Sequence, residues 1–540
     1  MARHPVQVRI PRRRLLGAMA ALPVALGLDG AQAQGRANEL RIGMAADISS
    51  MDPHWLNTSS NNVPATHVFE RLVDWDHQGR FVPSLAQSWR MTAPDQWEFK
   101  LRTGVKWHDG SDFTADDVIF SLDRPKQLVG TPSGFASFVR NIVGMQAPDK
   151  HTLRIRVSTP NNAWFPLDLS NLVIVQKRAC EKAAAQADFD NGRAMIGTGP
   201  YRFVRFVRGD RAEYVRNEQY WGGPLNVKPE FEKMTLRILI QDATRMAALL
   251  AGDLDVIENI PPQDLAKLAA NTQFRIVKQV SWRTMLFHMD QAREVSPFIT
   301  DKTGQPLARN PFKDQRVRHA FNLAINRQAI AERVMEGLAV PSNNLMCPTC
   351  FGYNPALKPV GYDPEAAKKL LAEAGYPNGF SLVLHGPNNR YLNDEQVVQT
   401  VAGMLARIGI QTRVETMPQA SYFPRFNKGE FSFAFVGWGS LPGDSSMRHQ
   451  FGTYDEQAGW GAWNGGRGSY PELDAMLKQA RATPDDAKRA EIARNAAALI
   501  ARNDQAVFLY HQVYTWAMRR EFNYPGRVDE QTLGQFFTRA

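Results

Sequence analysis

Cysteine is nearly missing from this chain: of 540 residues, only Cys180, Cys347 and Cys350 are cysteines. That count excludes a disulfide-stapled scaffold and a four-thiolate metal site. Beyond residue 33 no stretch approaches the ~18 consecutive apolar residues of a membrane-spanning helix. Lys and Arg outnumber Asp and Glu by 64 to 54, for a net charge of +10, yet no run of five or six basic residues occurs. A nucleic-acid-binding face gathers its cations, so this scattered excess reads as a mixed, solvated surface. Also missing are a dinucleotide fingerprint, a phosphate-cradling GxxxxGK loop, HExxH, CxxCH and any Ser/His/Asp arrangement, which speaks against an enzyme. No internal repeat or low-complexity segment is present.

What is there starts with residues 1–33. Arg12-Arg13-Arg14-Leu15-Leu16 precedes a weakly apolar stretch, 18–28, and Ala31-Gln32-Ala33 is a small-x-small cleavage site. These are the parts of an export signal removed after Ala33. The arginine pair followed by x-Leu-Leu resembles a twin-arginine signal, which exports folded proteins. Pro11 stands where Ser or Thr is usual, so the general secretory route stays open. No cysteine follows the cleavage site, so no lipid anchor is expected and the periplasm is the expected location. Without this segment the net charge is about +6. The remaining chain is too long for one compact core, so two or three lobes are expected. Cys347-Pro-Thr-Cys350 lies in a Pro/Asn/Gly-rich stretch. In an oxidising compartment a local disulfide is the simplest reading, with free thiols and redox chemistry as alternatives. Cys180 reads as a buried free thiol.

Hydropathy periodicity predicts strands at 39–45, 97–101, 151–157, 201–208, 211–216 and 234–240. A helix at 241–251 and a short strand after Gly252 complete a βαβ unit, so α/β architecture is expected. His108, Asp109, Asp116 and Asp117 resemble an acid/base cluster. Thr114-Ala-Asp-Asp117, however, is a capping box whose carboxylates serve helix N–H groups. The second half reads as a helix over 311–337, a helix capped by Asp363 and Pro364, strands at 380–384, 410–415 and 431–436, a helix at 395–408, a long helix capped by Thr483-Pro-Asp485-Asp486 and running to Arg502, and a β-prone segment at 506–518.

The runs Leu85-Ala-Gln-Ser-Trp89, Trp97-Glu-Phe-Lys-Leu-Arg102, Gly104-Val-Lys-Trp-His-Asp-Gly110 and Phe113-Thr-Ala-Asp-Asp-Val118 resemble the signature of the bacterial extracellular solute-binding family 5. Gly197-Thr-Gly-Pro-Tyr-Arg-Phe203, Pro311-Phe-Lys-Asp-Gln-Arg-Val-Arg318 and Tyr362-Asp-Pro-Glu-Ala-Ala-Lys-Lys-Leu-Leu371 continue it in family order. The resemblance implies a periplasmic receptor of an ABC importer that performs no chemistry and needs no cofactor. It would deliver a peptide-like, glutathione-like, opine or similar solute to a permease and ATPase complex. It also implies an α/β fold of two hinge-linked lobes with an extra domain on the first and the ligand between them. Mapped here, lobe I takes 37–60, 196–283 and 510–540, the extra domain 61–195, and lobe II 284–509.

Peptide-binding members hold the ligand ammonium with an Asp shortly after a Gly-Trp. Here the segment reads Gly437-Trp438-Gly439-Ser440-Leu441-Pro442-Gly443-Asp444. Leu441 occupies the anchoring position and Asp444 is the nearest carboxylate, which puts ordinary peptide capture in doubt. The loop Gly386-Pro-Asn388-Asn389-Arg390-Tyr391 is the other expected lining. The resemblance aligns Asn388 with a carboxylate-binding Arg, and Arg390 follows two residues later with a planar fork suited to a carboxylate. The alternative for Arg390 is an i,i+4 ion pair with Asp394. Asn57 matches a ligand-contacting position of dipeptide receptors. Trp438 could wall the pocket, and Trp460 and Trp463 are expected near its mouth. A nickel-chelate receptor is the second possibility, with His385, His449 and His511 as candidate ligands, and a periplasmic enzyme the third.

Overall fold

The computed structural model describes residues 38–131, 135–181, 186–223, 225–439 and 442–540. The export-signal reading therefore lies outside the described residues, as do Ser440 and Leu441. Among the described residues no helix is long and apolar enough to cross a membrane.

Two long antiparallel strands, Phe274–Met289 and Ala506–Arg519, organise the molecule. Toward one end, Met518, Ala517 and Trp516 pair with the strand Val256–Glu258, which continues through Glu39–Met44, Lys233–Ile238, Arg211–Arg216 and Tyr201–Val207. Toward the other end, Thr284 to Met289 pair with Phe433–Trp438, followed by Ser381–Pro387 and Gln411–Met417. The two flanking sets of strands thus hang on opposite ends of the same central pair. Between them the register of that pair shifts at Val280/Thr284, and it shifts again at Met285/Leu286, within the stretch that pairs with Phe433–Trp438. Such irregularities bend and twist a ribbon locally. This is one curled sheet shared by two lobes, the α/β architecture expected from the sequence.

The cores follow the same division. Leu40, Ile42, Met234, Val256 and Trp516 belong to one cluster, and Phe287, Phe321, Leu384, Phe433 and Leu509 to another. A separate core holds Phe99, Trp107, Leu122 and Ile155 around a four-stranded sheet, Ala86–Ala93, Gln96–Leu101, Thr152–Val157 and Ile142–Asp149. This sheet and its core fall within 61–195, the stretch expected to form the extra domain.

Local expectations hold where the signal is short-range. Asp117 accepts the Thr114 backbone N–H at 3.0 Å, so this carboxylate caps the helix Ala115–Gln127. His108 sits between Gly197 N and Gly199 O. Asp363 and Asp485 cap their helices as expected. The predicted strand at 39–45 inserts between the two strands of the βαβ unit and pairs parallel with Val256–Glu258. The helix expected over 311–337 is broken. A helix runs over Gln315–Ala324, and after Ile325 the Asn326 side chain caps a new turn by accepting from Ala329 N at 2.9 Å. An apolar stripe continues across such a break, which is why periodicity alone hid it.

Candidate functional site

Arg283 leaves the first crossing strand beside the register shift and meets Glu530 from the chain's end. Its Nε lies 3.0 and 3.1 Å from the two carboxylate oxygens and its Nη2 2.5 Å from one of them. Ser281 Oγ donates to the same carboxylate at 2.9 Å. Both charged groups are buried, so the pair stands only because each neutralises the other. From the opposite side the loop after Ser381–Pro387 presents Tyr391 and Arg390. The Arg283 guanidinium lies 5.9 Å from the Tyr391 ring centre and the Arg390 guanidinium 5.2 Å from it.

Two guanidinium groups therefore flank one tyrosine, but only one has a carboxylate. Among the described residues nothing accepts from the Arg390 side chain. The alternative i,i+4 ion pair does not form: Asp394 accepts the backbone N–H groups of Arg390 and Tyr391, at 2.9 and 3.0 Å. Asp394 thus opens the helix Asp394–Ala406 and fixes the loop by its backbone, leaving the arginine side chain over the Tyr391 ring. Burial, and then the Arg283 charge, push the Arg390 pKa down. Tyr514, half-buried on the second crossing strand, adds a hydroxyl whose pKa burial and the nearby Glu258 and Glu530 drive well above its ordinary value. It stays a neutral donor.

The Gly437-Trp438-Gly439 segment closes this corner. Tyr391 donates to Gly437 O at 3.2 Å, and a Cβ on Gly437 would meet Tyr391 at 2.8 Å. A Cβ on Gly439 would meet the Trp282 ring at 2.4 Å, so glycine lets that indole lie on the backbone. Trp282 in turn neighbours Trp75 at 5.8 Å. Trp438 packs on Trp463 at 5.5 Å and stacks over His449. Among the described residues its buried indole N–H has no acceptor.

Not every residue singled out from the sequence joins this corner. Asn57 is half-buried after the first strand and accepts from Asn62 at 2.9 Å. Asn388 and Asn389 are exposed, and Asn389 caps the turn at Gln419. Asp444 has partners inside the protein: it is fully buried, accepts from the Trp164 indole at 2.6 Å, and lies 3.5 Å from Arg489 Nε. Trp460 belongs to a hydrophobic core, while Trp463 packs on Phe423 and Phe426. Cys347 and Cys350 form a disulfide and Cys180 is a buried thiol. The three histidines are held separately. His511 bonds Thr284 and Ser342, His449 bonds Ser445 O, and His385 stacks on Phe431. Burial lowers all three pKa values, to about 4 for His385 and His511 and about 3 for His449. Among the described residues no group of three or more His, Cys, Asp or Glu side chains could hold a metal ion.

Sequence reasoning missed Arg283, Glu530 and Tyr514. The only hint was a charged residue inside an otherwise apolar strand, Ser281-Trp-Arg283-Thr-Met-Leu-Phe287. Its partner is 247 positions away.

Known proteins share this architecture. Residues 80–458 match the family described as bacterial extracellular solute-binding proteins, family 5. The heme-binding protein A of Haemophilus influenzae is 28% identical over 484 residues, covering 84% of this chain and 83% of that protein. The dipeptide-binding protein of Escherichia coli is 26% identical over 502 residues, covering 86% and 88%. The structure of the periplasmic binding protein DppA from Helicobacter pylori, in complex with the peptide STSA, superposes with a TM-score of 0.75 at 23% identity, covering 94% of this chain and 99% of that one. With its two lobes, its extra domain and a match over most of its length, the chain belongs to the bacterial extracellular solute-binding proteins of family 5.

Proposed function

We propose that this protein is the periplasmic receptor of an ABC importer and captures a small carboxylate-bearing solute between its lobes. Lobe I would comprise 37–60, 196–283 and 510–540, the extra domain 61–195, and lobe II 284–509. The receptor would reach the periplasm by cleavage after Ala33, through the twin-arginine route, and hand its cargo to a membrane permease and its ATPase without chemistry of its own.

The observation that carries this reading is Arg390. Arg283, Arg390 and Glu530 leave one positive charge uncompensated at the junction of the lobes. A half-buried guanidinium without a partner is costly, and a planar carboxylate is the complement that relieves it. Haem and peptides, for which the relatives above are named, differ in size and shape but both carry carboxylates. Tyr391, Trp438 and Gly439 would line the same space, Tyr391 and Trp438 offering flat apolar faces, with Asn388 and Asn389 exposed on the same loop as Tyr391. The resemblance adds Asn57, Ser440 and Leu441 to the lining. Leu441 offers no charge to an ammonium, and Asp444 is engaged by Trp164 and Arg489. An acid therefore fits better than an ordinary zwitterionic peptide.

Mass spectrometry of the purified receptor, native and then denatured, identifies what leaves the cleft, and calorimetry measures its affinity. Arg390→Ala should weaken an acidic solute by more than tenfold, because a hydrogen bond to a charged group is worth about 1.5–3 kcal/mol. Unchanged affinity would remove Arg390 from the site.

A further inference from the structure

The extra domain is joined to lobe I and to lobe II in different ways. Against lobe I it shares a core: Val173, Val175 and Phe189 pack in one cluster with Leu40 and Ile42. Buried polar bonds reinforce that seam, with Arg124 bidentate to Asp52 at 2.8 and 2.6 Å and His54 Nε2 2.9 Å from Val173 O. Against lobe II the polar contact is concentrated in one turn, 161–168, whose residues stay out of the buried clusters of that lobe, and the partly buried Phe81 ring packs against one of those clusters.

This turn grips three helices of lobe II. Ala163 N donates to Arg481 O at 2.8 Å, at the end of Pro471–Arg481. The Trp164 indole donates to Asp444 at 2.6 Å, in Gly443–Phe451. Arg489 of Asp486–Arg502 backs the same carboxylate at 3.5 Å. The Arg448 guanidinium lies 5.2 Å from the Trp164 ring centre. Asp168, whose pKa burial raises to about 6, feels the charges of Arg448 and Arg481. Trp164 is 1% exposed and Asp444 is fully covered. A contact of one indole, one carboxylate, backbone bonds and a single partly buried ring can be made and broken reversibly, whereas a shared apolar core cannot.

We infer that Trp164 and Asp444 form a latch that holds the extra domain against lobe II and weights the closed form without touching the solute. The inference rests on the reading of the protein as a two-lobe receptor that closes. Both are positioning residues. Opening the cleft about the two crossing strands must pull Trp164 off Asp444 and wet a carboxylate that keeps Arg489 at 3.5 Å. The latch therefore tunes affinity for every solute alike, while Arg390 selects among solutes.

The test is a distance measurement by double electron–electron resonance on the full receptor as purified. Spin labels go on Lys150→Cys in the extra domain and Lys369→Cys in lobe II, both exposed positions; Cys180 is buried. Trp164→Phe keeps a ring under Arg448 but deletes the N–H. It should lower the ratio of short to long distances at least fivefold, and Asp444→Asn should shift it the same way. Trp107→Phe deletes an equivalent indole bond to Asp117 inside the extra domain and should leave the ratio within twofold of wild type. An unchanged ratio in both latch variants, an equal fall in Trp107→Phe, or a wild-type chain without a short-distance population would each overturn the latch. Since no solute is used, failure of the latch is distinguishable from failure of the receptor reading, which the binding measurements decide.

Discussion

Glu530→Gln isolates the electrostatics of the lobe junction. The substitution keeps the shape of the side chain but removes the negative charge from a buried pair in which Arg283 approaches the carboxylate at 2.5, 3.0 and 3.1 Å. Arg283 is then a buried cation whose charge also acts on a second cation, Arg390. Breaking a buried pair from one side costs about 3–5 kcal/mol. At roughly 2 °C per kcal/mol for a large unit, the melting temperature should fall by about 6–10 °C. Thermal unfolding followed by fluorescence at pH 7 reads this directly. Arg283→Met combined with Glu530→Gln removes both charges and should recover most of the loss, because the stranded cation is the source of the cost. A single variant within about 2 °C of wild type, or a double variant as unstable as the single, would refute the argument that this pair is buried and mutually dependent.

Gly437→Ala places a methyl 2.6 Å from Met285 Sδ and 2.8 Å from the Tyr391 ring. The ring must move, taking Arg390 with it, so affinity for an acidic solute should drop several-fold in calorimetry while the far-ultraviolet circular dichroism stays unchanged. His511 is buried between Thr284 and Ser342 with its pKa lowered to about 4 from the ordinary 6.5. The unfolded chain therefore binds the proton first. Stability is complete above pH 6.5 and is lost as pH falls toward 4, by about 3 kcal/mol for this one group. His511→Gln should flatten the melting temperature profile between pH 6.5 and 4.5, and identical slopes in the two proteins would contradict it. Arg390→Ala, finally, should cost an acidic solute more than tenfold in affinity with little change in melting temperature of the solute-free receptor.

How much was legible in the sequence depended on the range of the interaction. The capping box at Thr114 and Asp117 and the caps at Asp363 and Asp485 were readable because each involves atoms two or three residues apart. The break near Asn326 was not, because the apolar stripe that buries both helical pieces runs across it. Asp444 shows the same limit at the site. Its distance from Gly437-Trp438 in the chain suggested a group facing the ligand, but a carboxylate takes whichever donor the fold delivers. Here that donor is Trp164, 280 positions away.

By itself the sequence determined the α/β alternation, the family signature and the loop that carries Arg390. Periodicity, capping and turn chemistry act over a few residues and are written in order along the chain. Only the tertiary structure decided that Phe274–Met289 and Ala506–Arg519 pair as the shared centre of two lobes, and that Arg283 finds Glu530 while Arg390 finds no carboxylate among the described residues. Those outcomes are choices among distant partners. They are settled by which buried charges and apolar faces can be satisfied together, and no local pattern encodes that.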